Sequence, residues 1–212
     1  MFPPMPLLSL APVLEGCPVG EVWSDFDNGR YLLRGMAPVE RLDWEYIYAP
    51  EKFQDMSGKP WAVFRKNCRK WPRKHPNWEY SYHLKSEQEL SDLVLEWLME
   101  KKDAVQDAEV LAAFTLSQLE GVSRKFLWDE EGIAAVNVWD ENYKYRNFRF
   151  CICRSGEPFL GEFARLLFYR DAVGIGKWVN DGGTLDNPGL ERFKDKMNPV
   201  RKREVFSWKK RA

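Results

Sequence analysis

Two stretches of the chain gather side chains that can do chemistry. The first, WAVFRKNCRKWPRKH at 61–75, collects six cations (Arg65, Lys66, Arg69, Lys70, Arg73 and Lys74) in ten residues, with no acidic residue between Ser57 and Trp78. Arginine offers phosphate oxygens a planar fork of donors, and lysine a compact point charge. The stretch reads either as a site for something anionic or as the solvated face of a helix. The second, WVNDGGTLDNPGLERFKDKMNPV at 178–200, sets the Asn180 amide and the Asp181 carboxylate beside a Gly-Gly pair, with Lys194 further along. A positioned carboxylate takes the proton an amine must lose on attacking an ester or thioester. An ammonium steadies a carboxylate or phosphate, and paired glycines let backbone approach a ligand. Asp181-Gly182-Gly183 is equally an ordinary turn, and Asp186 or Asn187 an ordinary helix cap.

Other chemistries are poorly served. Only two histidines are present, His75 and His83, both beside the basic stretch, which leaves little for a Ser-His-Asp arrangement. Cys17, Cys68, Cys151 and Cys153 lack the spacing of a zinc ribbon or finger, so no metal is expected. Cys151-Ile152-Cys153 places two thiols on one face of a strand, where free cysteine is usually a small core residue. Trp61 and Trp71 can stack bases or, at helical spacing, pack a core.

The elements that must position these groups follow from periodicity. Trp61, Phe64, Cys68 and Trp71 form an apolar helical stripe with the cations on the remaining faces, and Pro72 is expected to end that helix. Strands are expected at EVWSDF and RYLLRG around an Asn28-Gly29 turn, at DWEYIYA (43–49) and at WEYSYHL (78–84). Ser86 and Glu89 make a capping box ahead of an amphipathic helix bearing Leu90, Leu93, Val94, Trp97 and Leu98. A second helix is expected over 107–119, then a long hairpin, GIAAVNVWD with YKYRNFRFCIC, turning at Glu141-Asn142. After it come a helix over 158–169, a strand around GKWVN, a short helix capped by Asn187-Pro188, and a final strand REVFSW.

Balanced charge, 32 Lys+Arg against 32 Asp+Glu, argues against general coating of nucleic acid and makes any polyanion contact local. Five prolines in the first twenty residues predict an extended arm over 1–20. That start is a poor signal peptide, and no stretch approaches the roughly 20 apolar residues of a membrane span. A cytoplasmic protein is expected.

Residues 178–200 resemble the C-terminal motif of phosphatidylglycerol lysyltransferases and Fem-type aminoacyltransferases, which have the GNAT acyltransferase fold. Asn180, Gly189, Leu190, Lys194 and Pro199 fall in step with that family's pattern. The basic stretch is similar too, through Tyr46 or Tyr48, Gly58, Trp61, Arg65, Lys70 and Trp71; Lys66 stands where the family has Asn, with Asn67 one place later. The resemblance covers about 43–84 and 130–208.

It implies an α/β (α+β) class with a GNAT-like mixed, mostly antiparallel sheet flanked by helices. Residues 21–212 would form one domain, with 21–105 an abridged N-terminal part and 106–212 the motif-bearing part. The strand at 178–180 would splay from the one at 143–153 and open a cleft. The implied activity is acyl or aminoacyl transfer from a phosphate-bearing donor, aminoacyl-tRNA or acyl-CoA, to an amine or hydroxyl such as a peptide or modified nucleobase. Asp181 and Asn180 would be catalytic; Arg65, Lys66, Arg69 and Lys194 would bind the donor, without a metal. The glycine-rich phosphate loop of ordinary GNAT enzymes is absent, and Gly174-Ile175-Gly176 reads as a turn, which favours aminoacyl-tRNA or another nucleic acid over CoA. The alternative is a non-catalytic module of the same fold that contacts RNA or DNA through the basic helix.

Overall fold

The computed structural model describes residues 21–25, 36–101, 112, 115, 121–184 and 187–210. The strands are β1 (Glu21–Asp25), β2 (Met36–Tyr48), β3 (Glu79–Ser81), β4 (Val122–Asp129), β5 (Gly132–Glu141), β6 (Tyr145–Cys153), β7 (Trp178–Asn180) and β8 (Arg201–Lys210). They form one sheet in the order β1-β8-β2-β7-β6-β5-β4-β3, antiparallel throughout except for β6 with β7. This is the mixed, mostly antiparallel sheet expected. The α-helices are α1 (Lys52–Asp55), α2 (Ala62–Cys68), α3 (Lys70–Lys74), α4 (Glu87–Lys101), α5 (Leu160–Asp171) and α6 (Pro188–Lys196), with a 3-10 turn at Lys59–Trp61. The N-terminal arm and the Asn28-Gly29 turn lie outside the described residues, as does most of the 107–119 helix, of which Ala112 and Thr115 are helical and buried.

The core is built on β5, whose residues 133–140 are all buried because helices cover both faces of the sheet there. Val136 and Val138 meet Leu90, Leu93 and Val94 of α4. Ala134 and Ala135 lie with Leu160, Phe163 and Ala164 of α5. Asn137, buried on this second side, donates to the Ala164 carbonyl and the Tyr80 hydroxyl, both at 2.9 Å. A bulge falls where Trp139 pairs with Phe148 but Val138 pairs with Phe150. Arg149 is the extra residue, and it resets the alternation so that Phe148, Cys151 and Cys153 all pack toward α5.

Several elements differ from expectation for local reasons. Pro72 does not end the basic helix: the break comes at Arg69, and Pro72 sits inside α3. Proline has no N–H to give the carbonyl four residues back, that of Cys68, so α2 stops there; within the first turn of α3 the missing donor has no helical partner to lose. Ser86 accepts from the Glu89 N–H at 3.2 Å, as a cap should, but the Glu89 carboxylate completes no box and accepts from Ile133 N–H at 3.1 Å. The expected strand at 78–84 is cut to Glu79–Ser81, and β4 forms where none was expected. β1 pairs with β8, which separates it from β2.

The cleft comes from the shortness of β7. It runs parallel to β6 for three pairs, Tyr145↔Trp178 to Asn147↔Asn180, and antiparallel to β2 for two. Beyond Asn180 the chain leaves β6 and follows β2: Asp181 N–H donates to the Tyr46 carbonyl at 2.9 Å, and Tyr46 N–H to the Gly182 carbonyl at 3.2 Å. β6 continues to Cys153 without β7 beside it, and the sheet opens there.

Under the opening lies a ring cluster. Phe53 of α1 stacks on Tyr169 of α5 at 3.9 Å and meets Tyr48 of β2 edge-on at 5.9 Å. Phe53→Ala should destabilise the protein by about 3–5 kcal/mol, the usual cost of deleting a buried ring, read as a lower midpoint in urea unfolding. A change under 1 kcal/mol would mean that the cluster does not anchor α1 and α5 to the sheet.

Candidate active site

Asp181 sits where β7 parts from β6. It is 3% exposed and is surrounded by donors. Its Oδ2 accepts from the Tyr169 hydroxyl at 2.5 Å and lies 3.2 Å from Arg165 Nη1, while its Oδ1 is 3.6 Å from Lys194 Nζ. Arg165 and Tyr169 are four residues apart on α5, a spacing that puts both on one helix face. The Arg165 guanidinium lies over the Phe148 ring at 4.5 Å and near the Phe193 ring at 5.2 Å. Its Nη1 makes the ion-pair contact without an aligned hydrogen bond.

Lys194, on α6, is 3% exposed, and its ammonium is used on backbone. It donates to the carbonyls of Asp181, Gly182 (3.2 Å) and Gly183 (2.5 Å), so three N–H groups meet three acceptors. Tyr48 fixes α6 in turn by donating to the Lys194 carbonyl at 2.8 Å. Asn180 Oδ1 accepts from Gly182 N–H at 3.0 Å and closes a side-chain turn. Gly182 takes a φ of 59°, in the left-handed region that glycine enters without strain. Asp43 accepts from Thr184 N–H at 2.6 Å and crowds Gly183 so closely that a Cβ there would overlap its carboxylate. The Gly-Gly pair is therefore required by the fold of this loop.

Burial lowers the Lys194 pKa from 10.5 to about 8; Asp181 opposes the shift and Arg165 adds to it. The three carbonyls also favour the ammonium, so Lys194 is charged at neutral pH. Burial pushes the Tyr169 and Tyr48 hydroxyls well above the usual phenol range, and Asp181 adds to both, so each tyrosine stays protonated and donates.

The structure thus brings Asn180, Asp181 and Lys194 together and leaves Arg65, Lys66 and Arg69 apart from them. Arg65 donates to the Met56 carbonyl at the end of α1. Lys66 and Arg69 are exposed on the outer side of α2, whose inner side packs on α5 and α6 through Cys68 Sγ to the Glu162 carbonyl (3.4 Å) and Phe64 to Phe193 (6.3 Å). Arg165, Tyr169 and Asp43 escaped the sequence reading. The i, i+4 pair of Arg and Tyr among the buried apolar positions of α5 was a usable signal for the first two; nothing local pointed to Asp43.

If Lys194 is held this way, the Cε resonance of Lys194 in lysine-labelled protein should titrate near pH 8, well below 10.5. Removing the opposing charge with Asp181→Asn should lower that midpoint further. Because the folded state then gives up this proton more readily than the unfolded chain, the Lys194 contribution to stability rises between about pH 8 and pH 10.5. A midpoint at the ordinary lysine value would contradict the burial.

No family model matches the sequence, and no curated protein is similar to it. Solved structures do share its architecture. A conserved protein of unknown function from Bacteroides thetaiotaomicron superposes with a TM-score of 0.70 at 17% identity, over 96% of this chain and 67% of that one. L-PGS from Bacillus licheniformis gives 0.66 at 18% identity, over 91% and 68%. FemX gives 0.60 at 8% identity, over 95% and 75%. At such identities the likeness is one of fold: the chain shares the architecture of L-PGS and FemX, in keeping with the resemblance carried by residues 178–200.

Proposed function

We propose that this protein is an acyl- or aminoacyltransferase that works in the opening between β6 and β7. The observation that carries the reading is the buried cluster of Asp181, Arg165 and Lys194 at the point where the strands part. In the proposed reaction an acceptor amine or hydroxyl attacks the acyl carbonyl of an ester or thioester. A bond from nitrogen or oxygen to the acyl carbon forms, the acceptor loses a proton, and the carbon–oxygen or carbon–sulfur bond to the donor breaks, its electron pair leaving with the donor's oxygen or sulfur, which takes up a proton and departs as the hydroxyl or thiol. Asp181 takes that proton on Oδ1, the oxygen not already hydrogen-bonded to Tyr169. Arg165, whose Nη1 has no aligned hydrogen bond, is placed for the negative charge on the carbonyl oxygen. Lys194 acts as a positioning residue by holding the backbone of 181–183.

The donor's phosphates, aminoacyl-tRNA or acyl-CoA, are assigned to the outer face of α2 and α3. Lys66, Arg69, Arg73 and Lys74 are exposed there and have no carboxylate partner among the described residues. Lys70 lies over the Phe159 ring at 3.7 Å, at the start of α5. The same surface supports the second reading, a non-catalytic nucleic-acid-binding module. Among the described residues no helix is long and apolar enough to cross a membrane.

Purified protein should transfer label from aminoacyl-tRNA or acyl-CoA to an amine acceptor. Asp181→Asn should slow the transfer by about 10²- to 10⁴-fold, the usual worth of a positioned base, while the protein stays folded. Full activity in that variant would place the base elsewhere, and no transfer from either donor by the native protein would favour the binding module. Replacing Lys66, Arg69 and Arg73 together by Ala should weaken RNA binding in an anisotropy titration and flatten its logarithmic salt dependence by about 3, one per lost phosphate contact. An unchanged slope would return the stripe to a solvated face.

A further inference from the structure

Cys151 and Cys153 take no part in the proposed transfer, and their sulfurs are 3.4 Å apart. Both side chains are half-buried, on the α5 side of β6, and the Cys153 sulfur lies 4.0 Å from where a Cβ on Gly161 would stand. Gly161 of α5 thus lies against the pair at ordinary contact distance. We propose that Cys151 and Cys153 are a dithiol site that takes thiol-reactive ligands, and that a small disulfide oxidises them to an intrastrand disulfide.

The strand around them permits this. Residues two apart on a strand have Cα atoms about 6.6–6.8 Å apart, at the far end of the roughly 4.4–6.8 Å that a disulfide spans. The bond therefore closes only if β6 shortens around Ile152. On one side β6 is held to β5 through Ala135↔Cys153 and Asn137↔Cys151. On the other it has β7 only along 145–147, so a buckle at 151–153 breaks no ladder there. Ile152 faces the α4 side with Val136 and Val138, and its displacement opposes the bond, so the disulfide should be easily reduced.

The exchange balances. One thiol loses its proton and attacks the small disulfide, giving a mixed disulfide and one released thiol. The second then loses its proton and attacks the protein sulfur of that bond, closing Cys151–Cys153 and releasing the second small thiol. Two cysteines are oxidised and one small disulfide is reduced. The Cys151 thiol beside it, burial and the Glu162 carboxylate of α5 raise the Cys153 pKa and Arg165 of the same helix opposes them, with the net direction upward, so attack by Cys153 should quicken about tenfold per pH unit through the neutral range.

The test uses the folded full chain and two probes. Phenylarsine oxide bridges two neighbouring thiols with loss of one water and should bind in a one-to-one ratio. Oxidised glutathione should remove two hydrogens from the peptide containing 151–153, reversed by dithiothreitol. Cys151→Ser and Cys153→Ser should each abolish arsenical binding and stop the oxidation at a glutathione adduct. Cys68→Ser, whose sulfur is turned to the Glu162 carbonyl, should change neither result. A bond that forms only in urea, or that links Cys68 or Cys17 instead, would overturn the proposal, as would arsenical binding that survives both serine variants.

Discussion

Lys194 Nζ under the carbonyls of Asp181, Gly182 and Gly183 is the contact on which the candidate site depends. The loop after β7 leaves one strand and follows another; the Gly182 carbonyl still meets Tyr46 N–H, while those of Asp181 and Gly183 meet no backbone donor among the described residues. Left unpaired in the interior, each would cost on the order of 1–3 kcal/mol. One ammonium answers all three and places a positive charge beside Asp181. The arrangement also explains why the group is a lysine: three rotatable N–H donors on one nitrogen can converge on a curved loop, whereas a planar guanidinium cannot.

From that contact outward the site is layered. Tyr48 ties α6 to β2, Phe53 stacks on Tyr169, and Tyr169 with Arg165 holds Asp181 from α5. The charges come from three successive elements, α5, the loop after β7 and α6, so these must pack together before the cluster exists. Burying one carboxylate between two cations is favourable only when hydrogen bonds satisfy the remaining donors and acceptors. Here the Lys194 donors are satisfied, whereas Arg165 Nη1 has its ion-pair contact with Asp181 and no aligned hydrogen bond. The opening itself needs no special residue. It follows from β7 being three residues long between two much longer strands.

Much of this was legible in the sequence where one short stretch carries the information. The Asn187 cap, the 132–153 hairpin and the apolar stripe of Trp61, Phe64, Cys68 and Trp71 each follow from local pattern. So did the gathering of Asn180, Asp181 and Lys194, because only one loop and nearly two helix turns separate them. What could not be read depends on partners distant in the chain. The Glu89 carboxylate was expected to cap its own helix and instead serves Ile133; Asp43 buttresses a glycine about 140 residues away. The bulge at Arg149 decides that Phe148 shares a face with Cys151, and alternation alone gives the opposite answer. Pro72 shows the same limit on a smaller scale, since its effect on the helix falls at Cys68 rather than at its own position.

The central claim is that a donor's acyl end occupies the opening while its phosphates lie on the cationic stripe. The most direct measurement is an NMR titration with a short acceptor-stem RNA whose aminoacyl group is attached by a stable amide. Occupancy of the opening predicts shifts in the Arg165 guanidinium, the Asp181 carboxylate carbon and the Gly182 and Gly183 amides, together with shifts at Lys66 and Arg69. Shifts confined to the stripe, with the Asp181 cluster unmoved at saturation, would contradict it.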